Sequence, residues 1–207
     1  MKKGIFIVVD GIDGSGKSEI VKMLHNYLLS KNKKYRVLAT REPTSGYYGK
    51  QIRKMLRGEK DPISNSKKLV ELFIKDRQWH LKNSIEPFLK SSNKHELNIV
   101  LCDRYYYSTI AFQGAQGLNI KDMVAKNKKF RKPDISFILD VEPSIALERI
   151  EYRKKEKFEK FHFMKKIRKI FLALPKLLPD NIKIIDSSKP FNEVFENIRK
   201  EVDKFLV

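Results

Sequence analysis

Closely spaced glycines, a lysine and a serine interrupt an apolar run near the start of the chain. In the stretch GIDGSGKS, Gly11, Gly16, Lys17 and Ser18 satisfy the pattern G-x-x-x-x-G-K-[ST], whose backbone N–H groups surround phosphate oxygens. Glycines suit such a loop because they accept unusual backbone angles and leave room for phosphates. The pattern predicts that Lys17 reaches the β- and γ-phosphates of a nucleoside triphosphate and that Ser18 offers its hydroxyl to Mg²⁺. The predicted triphosphate-binding residues are Gly11, Ile12, Asp13, Gly14, Ser15, Gly16, Lys17 and Ser18.

A second pair of polar residues stands at the end of another apolar run. Asp103 is the last residue of that run, and Arg104 follows it. An acid at that position can hold the water shell of a metal, as the second acid of P-loop enzymes does. An adjacent arginine suits a second anion in line with the γ-phosphate, because guanidinium binds phosphate oxygens through two parallel hydrogen bonds. We therefore predict that Ser18 and Asp103 serve the metal, Asp103 through water, and that Arg104 binds a phosphorylated acceptor. A strand-end salt bridge between Asp103 and some other basic residue is the alternative.

The apolar pattern predicts the strands and helices that position these residues. Apolar runs at 5–9, 36–40, 98–101, 135–139 and 182–185 are typical of buried strands. Helical spacing lies between them, at 20–28, 49–56, 66–89, 106–113, 120–126, 143–153, 158–174 and 192–206. Ser66 is the predicted N-cap of the longest helix, and Pro87 is expected to kink or end it. Strands that alternate with helices predict an α/β fold of three layers, with a five-stranded parallel sheet and ligands beyond the carboxyl ends of its strands.

Length, charge and cysteine content narrow the class of protein. A chain of 207 residues favours one domain, 1–207. No segment has the apolar length to cross a bilayer, and the single Cys102 fits a reducing compartment, so a cytoplasmic protein is expected. The formal net charge of +19 suits a nucleic-acid binder, an anionic-membrane binder or an enzyme for phosphorylated substrates. Charge alone does not choose between these, and a solvated basic surface also explains it.

The motifs taken together resemble the thymidylate kinase family. The stretch DRYYYSTIAFQGA at 103–115 is similar to that family's DRY segment, and REP, KPD, ALERI and IDSSKPFNEV follow in the family's order over nearly the whole chain. The resemblance implies a P-loop kinase fold with a helical lid, and transfer of the γ-phosphoryl group of ATP to dTMP in dTTP biosynthesis. It also implies Mg²⁺ as cofactor, a homodimer, and no obligate nucleic-acid or membrane partner.

The resemblance assigns residues to the acceptor dTMP. Asp13 matches the carboxylate that binds the 3′-hydroxyl, and Arg104 matches the arginine on the acceptor phosphate. Phe73 matches the ring that stacks on thymine, and Arg77 matches the arginine that reaches a base oxygen. Their spacing of four places both on one helix face, although without the family Phe73 is an ordinary core residue. The predicted substrate-binding residues are Asp13, Glu42, Pro43, Phe73, Arg77, Arg104, Thr109, Phe112 and Gln113.

The resemblance also implies where the remaining positive charge comes from. Phosphoryl transfer needs charge stabilisation, and the acceptor oxygen is already ionised, so no general base is expected. Some family members carry an arginine directly after the loop acid, but here that residue is Gly14. The bacterial-type members then imply a lid, at approximately 149–166, that supplies Arg149 and Arg153. The predicted catalytic residues are Lys17, Arg104, Arg149 and Arg153; a solvated basic helix is the alternative for the last two.

Two other functions stay open on the sequence alone. Phe112 stands where many members have a tyrosine near the 2′ position of the sugar, which leaves a nucleotide or nucleoside kinase of relaxed specificity as an alternative. A P-loop ATPase that binds nucleic acid through its basic surface is the alternative from another class. The DRY segment argues against this ATPase, because an ATPase would not need a site for an acceptor phosphate.

Overall fold

A five-stranded sheet, entirely parallel in the part of the chain that is described, confirms the predicted α/β architecture. The computed structural model describes residues 4–58, 65–91, 93, 95–150 and 154–206, without the side chains of 154–160. The strand order is β2-β3-β1-β4-β5. The strands are β1 (Ile5–Gly11), β2 (Tyr35–Arg41), β3 (Leu97–Asp103), β4 (Ile135–Asp140) and β5 (Ile182–Asp186).

Helices cover both faces of the sheet and follow the predicted spacing with changed boundaries. They are α1 (Lys17–Lys31), α2 (Tyr47–Gly58), α3 (Ser66–His80), α4 (Glu86–Lys90), α5 (Tyr106–Ala115), α6 (Ile120–Asn127), α7 (Pro143–Arg149), α8 (Lys154–Leu177) and α9 (Phe191–Asp203). A π-helical turn, Leu81–Ile85, joins α3 to α4. Among the described residues, no helix has the length and apolar character needed to cross a membrane.

Some predicted helix details are wrong. Asn65, not Ser66, is the N-cap of α3, and Ser66 is buried as the first helical residue. Pro87 lies in the first turn of α4, directly after the wider π turn, and the helical path ends at Lys90, close to the predicted end at Leu89. A π turn relieves the clash between a proline ring and the carbonyl four residues earlier. The helix predicted to reach residue 153 ends at Arg149.

The alternation of side chains along the central strand divides the core into two layers. Phe6 and Val8 of β1 pack on one face, in a cluster with α3, α5 and α8, whereas Ile7 and Val9 pack on the other, with α1 and α9. Cys102 is buried in the first cluster, as expected. In the register, Val9 pairs with Asp103, so β1 and β3 end side by side. The loops that follow both strands therefore meet at one edge of the sheet.

Candidate active site

The loop between β1 and α1 has the backbone that its glycines predict. Gly14 and Gly16 have φ angles of 76° and 92°, in the left-handed region that favours glycine. A β-carbon at Gly14 would lie 2.3 Å from the carbonyl oxygen of Ala146, so a side chain does not fit there. The loop thus leads into α1 with the backbone exposed toward a ligand, and the positive end of the helix dipole favours an anion there.

Lys17 folds back over this loop. Its ammonium donates hydrogen bonds to the carbonyl oxygen of Ile12, at 2.7 Å, and to the hydroxyl of Ser15, at 3.4 Å. Burial and, after it, the nearby positive charge of Arg104 lower the pKa of Lys17 to about 8, against the opposing effect of neighbouring acids. Phosphate oxygens would supply the negative charge that this buried ammonium lacks.

Ser18, in the first turn of α1, lies beside Asp103, at the end of β3. The Ser18 hydroxyl donates a 2.6 Å hydrogen bond to Asp103 Oδ2, while Asp103 Oδ1 is buried without a hydrogen-bond partner. An orphaned carboxylate oxygen next to a hydroxyl fits Mg²⁺ and its water shell. The described residues contain no cluster of three or more histidine, cysteine, aspartate or glutamate side chains that could hold a metal. The Ser18 hydroxyl and the buried Asp103 oxygen are the two oxygen atoms here that could serve a metal.

Arg104 lies between the loop and a deep cavity. Its φ angle of 71° is unusual for a residue with a side chain, and its backbone N–H donates to the carbonyl oxygen of Val9 at 2.9 Å. The guanidinium donates to the Ser108 hydroxyl at 2.9 Å and to an Asp13 carboxylate oxygen. It also lies over the ring of Phe112, with its central carbon 5.3 Å from the ring centroid. The cation is only partly covered and faces both the loop and the cavity.

The cavity has a volume of about 640 Å³ and is mostly apolar. Its size lies in the range of small-molecule sites, which combine apolar walls with a few polar groups. Every residue that the sequence assigned to the acceptor lines it: Asp13, Glu42, Pro43, Phe73, Arg77, Arg104, Thr109, Phe112 and Gln113. The structure thus brings together residues that the chain supplies from α3 and α5 and from the loops after β1, β2 and β3.

Arg77 is fully buried at the base of this cavity and has many partners. It donates to Glu42 Oε2 at 2.9 Å from Nε, to Asn127 Oδ1 at 2.6 Å and to the Thr109 hydroxyl at 3.0 Å. The Glu42 carboxylate also lies 3.3 Å from Nδ1 of His80. In contrast, Gln113 Oε1 is buried and has no hydrogen-bond partner. The cavity therefore holds both a cation with several buried partners and an acceptor that has none.

One wall of the cavity was missed by the sequence analysis. Phe163, Met164 and Ile167 of α8 line it, although the sequence assigned most of this helix to a basic lid. The signal was present as apolar residues three and four apart in FHFMKKIRKIF, but the surrounding lysines masked it. Ser108, which contacts Arg104, was also missed because a serine in an apolar segment has no distinctive spacing.

The remaining predicted residues have separate surroundings. Arg149 donates to the carbonyl oxygens of Ser187, at 3.0 Å, and Gly14, at 3.5 Å, and it lies over the ring of Phe191. It thus lies beside the phosphate loop. Arg153 lies outside the described residues.

The acids at the ends of β4 and β5 are not directed to the cavity. Asp140 accepts two hydrogen bonds from Arg168 of α8, at 2.6 and 3.0 Å. Asp186 accepts hydrogen bonds from the backbone and hydroxyl of Ser188, which lower its pKa. Of these strand-end acids, Asp103 is the one adjacent to the phosphate loop.

Comparisons with known proteins point to one family. The family model described as thymidylate kinase matches residues 9–198. A protein of Archaeoglobus fulgidus named "Probable thymidylate kinase" is 38% identical over 204 residues, which cover 98% of this chain and 96% of the relative. A "Thymidylate kinase" of Leptospira interrogans is 40% identical over 197 residues, with 94% and 92% covered. A "Probable thymidylate kinase" of Thermococcus kodakarensis is 35% identical over 210 residues, with 98% of each covered.

Proposed function

The chain belongs to the thymidylate kinase family, and from this premise we propose that it transfers the γ-phosphoryl group of ATP to dTMP, giving dTDP and ADP for dTTP synthesis. One observation carries the proposal beyond the family: Arg104 joins the phosphate loop to the cavity through its bond to Asp13. Two phosphate sites therefore adjoin each other, as transfer between two phosphates requires. The comparisons do not favour the nucleic-acid-binding ATPase.

The reaction forms one bond and breaks one. An ionised oxygen of the dTMP phosphate bonds to the γ-phosphorus of ATP, and the bond from that phosphorus to the β–γ bridging oxygen breaks with its electron pair going to ADP. No proton has to move for this exchange. Lys17 stabilises the charge on the donor phosphates, and Arg104 orients the acceptor phosphate and offsets its charge.

The acceptor nucleoside occupies the cavity in this proposal. Asp13 accepts a hydrogen bond from the 3′-hydroxyl, and Phe73 stacks on the base between Pro43 and the wall of α8. The orphaned oxygen of Gln113 accepts from the base N3–H, a donor that thymine has and cytosine lacks. Because Arg77 already has buried partners, its main effect is to hold Glu42 and Thr109 in place, with a base contact made by the hydrogen that remains.

Mg²⁺ is the proposed cofactor, held by Ser18 and, through water, by Asp103. The unsatisfied Asp103 oxygen beside the Ser18 hydroxyl supports this assignment. When bound, the ion neutralises charge on the ATP phosphates.

Residues 1–207 are proposed to form one domain, with a lid at approximately 149–166 that closes over ATP. Arg149 and Arg153 are its proposed cations. The present contacts of Arg149 with backbone carbonyls beside the loop support a role near the donor phosphates. Closure would exclude water and limit ATP hydrolysis.

A homodimer in the cytoplasm completes the proposal. Tyr47 and Trp79, on the adjoining helices α2 and α3, are 71% and 45% exposed, and apolar rings on a surface support a subunit contact. The buried, unpaired thiol of Cys102 fits a reducing compartment. Light scattering should report the mass of two chains, and Trp79→Glu should lower it to one.

ADP release from Mg-ATP tests the function, with dTMP, dUMP, UMP, dCMP and AMP offered separately. Turnover should depend on dTMP and be low with dCMP. Arg104→Ala should lower kcat/KM for dTMP about a hundredfold, because it removes charge-assisted hydrogen bonds to the acceptor phosphate. Arg199→Ala is the matched control, since Arg199 forms surface ion pairs on α9, away from the cavity.

Two outcomes contradict the proposal. Equal turnover with several monophosphates would support phosphoryl transfer but contradict the preference for dTMP. If no monophosphate stimulated ADP release, the assignment of an acceptor site would be wrong. Stimulation of ATP hydrolysis by nucleic acid would then favour the nucleic-acid-binding ATPase.

A further inference from the structure

Asp10, at the end of β1, is a fully buried acid that the proposed reaction does not use. Its Oδ1 accepts from the Gly11 N–H, at 2.8 Å, and its Oδ2 accepts from the backbone N–H groups of Tyr105, at 3.1 Å, and Ser108, at 3.0 Å. Burial raises the pKa of Asp10, while Arg104, at 3.9 Å, and the hydrogen bonds from the Ser108 hydroxyl and the Gly11 N–H lower it. One side chain thus connects the start of the phosphate loop to the start of α5.

Ser108 connects this acid to the acceptor arginine. Its hydroxyl donates to Asp10 Oδ1 at 2.7 Å and accepts from Arg104 Nη1 at 2.9 Å. A hydroxyl has one proton, so donation to the carboxylate leaves its lone pairs directed at the guanidinium. The order of contacts is Asp10 to Ser108, Ser108 to Arg104, and Arg104 to Asp13.

The backbone of Arg104 gives this chain of contacts its importance. A φ of 71° strains the backbone of a residue that has a side chain, and the surrounding contacts must offset the energetic cost of that strain. The flanking N–H of Tyr105 is held by Asp10, and the N–H of Arg104 itself is held by Val9. The same acid therefore stabilises the unusual backbone and, through Ser108, the direction of the side chain.

We propose that Asp10, acting through Ser108, is a positioning residue that aims the Arg104 guanidinium at the acceptor phosphate. This rests on the proposed function, in which Arg104 binds that phosphate. Neither Asp10 nor Ser108 has to contact the phosphate for this role. A carboxylate is required because Asp10 accepts from four donors with two oxygens, whereas an asparagine would direct an N–H₂ group at some of them.

The test compares Ser108→Ala with Ser136→Ala. Both remove a buried hydroxyl near α5, but Ser136 bonds to the Tyr107 hydroxyl, at 2.8 Å, and not to Arg104. By calorimetry, Ser108→Ala should weaken dTMP binding about tenfold, and Ser136→Ala should leave it within about twofold. ATP affinity should stay within about twofold in both variants, since the ATP site keeps its residues.

The decisive measurement is the same substitution in the Arg104→Ala background. If Ser108 acts through Arg104, Ser108→Ala should add less than about a twofold loss there. Ser108→Thr keeps the hydroxyl and should retain dTMP affinity. Asp10→Asn should lose more affinity than Asp10→Glu, which keeps the acid, and Ser108→Ala carries the test if the Asp10 variants do not fold.

Several results would overturn the inference. The first is an equal effect of Ser108→Ala and Ser136→Ala on dTMP affinity. The second is an effect of Ser108→Ala that is as large in the Arg104→Ala background as in the unmodified protein. The third is a fall in ATP affinity equal to the fall in dTMP affinity. Failure of the proposed function is distinguishable, because the unmodified protein would then show no ADP release that depends on dTMP.

Discussion

The phosphate loop and the acceptor cavity meet at Arg104, but the protein builds them in different ways. The loop is one continuous stretch, 11–18, whose shape comes from glycine backbone angles and one buried lysine. The cavity takes side chains from distant parts of the chain, including a wall from α8. Local chemistry therefore determines the donor side, whereas tertiary packing determines the acceptor side. The two sides should accordingly fail in different ways when they are changed.

The largest expected effect is on the donor side, in Lys17→Met. Loss of the ammonium should lower kcat about a thousandfold, or about 4 kcal/mol, because its positive charge beside the phosphate loop stabilises the charge that develops on the donor phosphates. Binding of dTMP should change less than about threefold, since its site keeps all its side chains. Steady-state ADP release and calorimetry measure the two quantities. Lys22→Met, at an exposed position on the same helix, is the control.

A loss of dTMP binding as large as the loss of kcat would contradict the separation of the two sides. It would show that Lys17 organises both of them.

On the acceptor side, the next largest effect should be on folding. Glu42→Gln leaves the buried Arg77 without its carboxylate, 2.8 Å away, and should lower the free energy of unfolding by about 3 kcal/mol. Urea unfolding measures this change. Glu86→Gln is the control, because its ion pair with Arg131 is partly exposed and should be worth less than about 1 kcal/mol. Equal urea-unfolding midpoints for the two variants would contradict a special structural role for the Glu42–Arg77 pair.

The same contrast explains what the sequence could and could not predict. The loop residues 11–18 follow from spacing alone, because the whole pattern lies within one short stretch. The strands follow from apolar runs for the same reason, although their pairing joins distant parts of the chain. Phe73 and Arg77 needed the family, since a cavity residue and a core residue have the same spacing in a helix. Met164 was missed because its partner surface comes from another part of the chain.

A rise in pH should weaken ATP binding about tenfold more than dTMP binding. Burial lowers the pKa of Lys17 to about 8, with Arg104 acting in the same direction and Asp13, Asp103 and Asp10 against it. ATP favours the charged ammonium, so affinity contributed by Lys17 is full below pH 8 and falls as pH rises through that value. Between pH 7 and 9 the ATP dissociation constant should rise about tenfold. The affinity for dTMP should not follow this change, because Lys17 is not part of the proposed dTMP site.

Titration calorimetry in two buffers of different ionisation heat checks this linkage, because ATP binding above pH 8 should take up a proton. Lys17→Met should remove both the uptake and the slope. A slope that persists in this variant would assign the titration to another group.

The smallest expected effect is at the α8 wall, in Met164→Ala. Met164 is buried against the cavity, and losing about 40 Å² of apolar contact with a bound base should weaken dTMP binding about fivefold. ATP affinity should change less than dTMP affinity, because Met164 lines the cavity and lies at the far end of the proposed lid from Arg149 and Arg153. Leu172→Ala is the matched control on the same helix, since Leu172 is 38% exposed and does not line the cavity. A joint loss of dTMP and ATP affinity would instead mean that α8 couples the two sides, since the same helix holds Asp140 through Arg168.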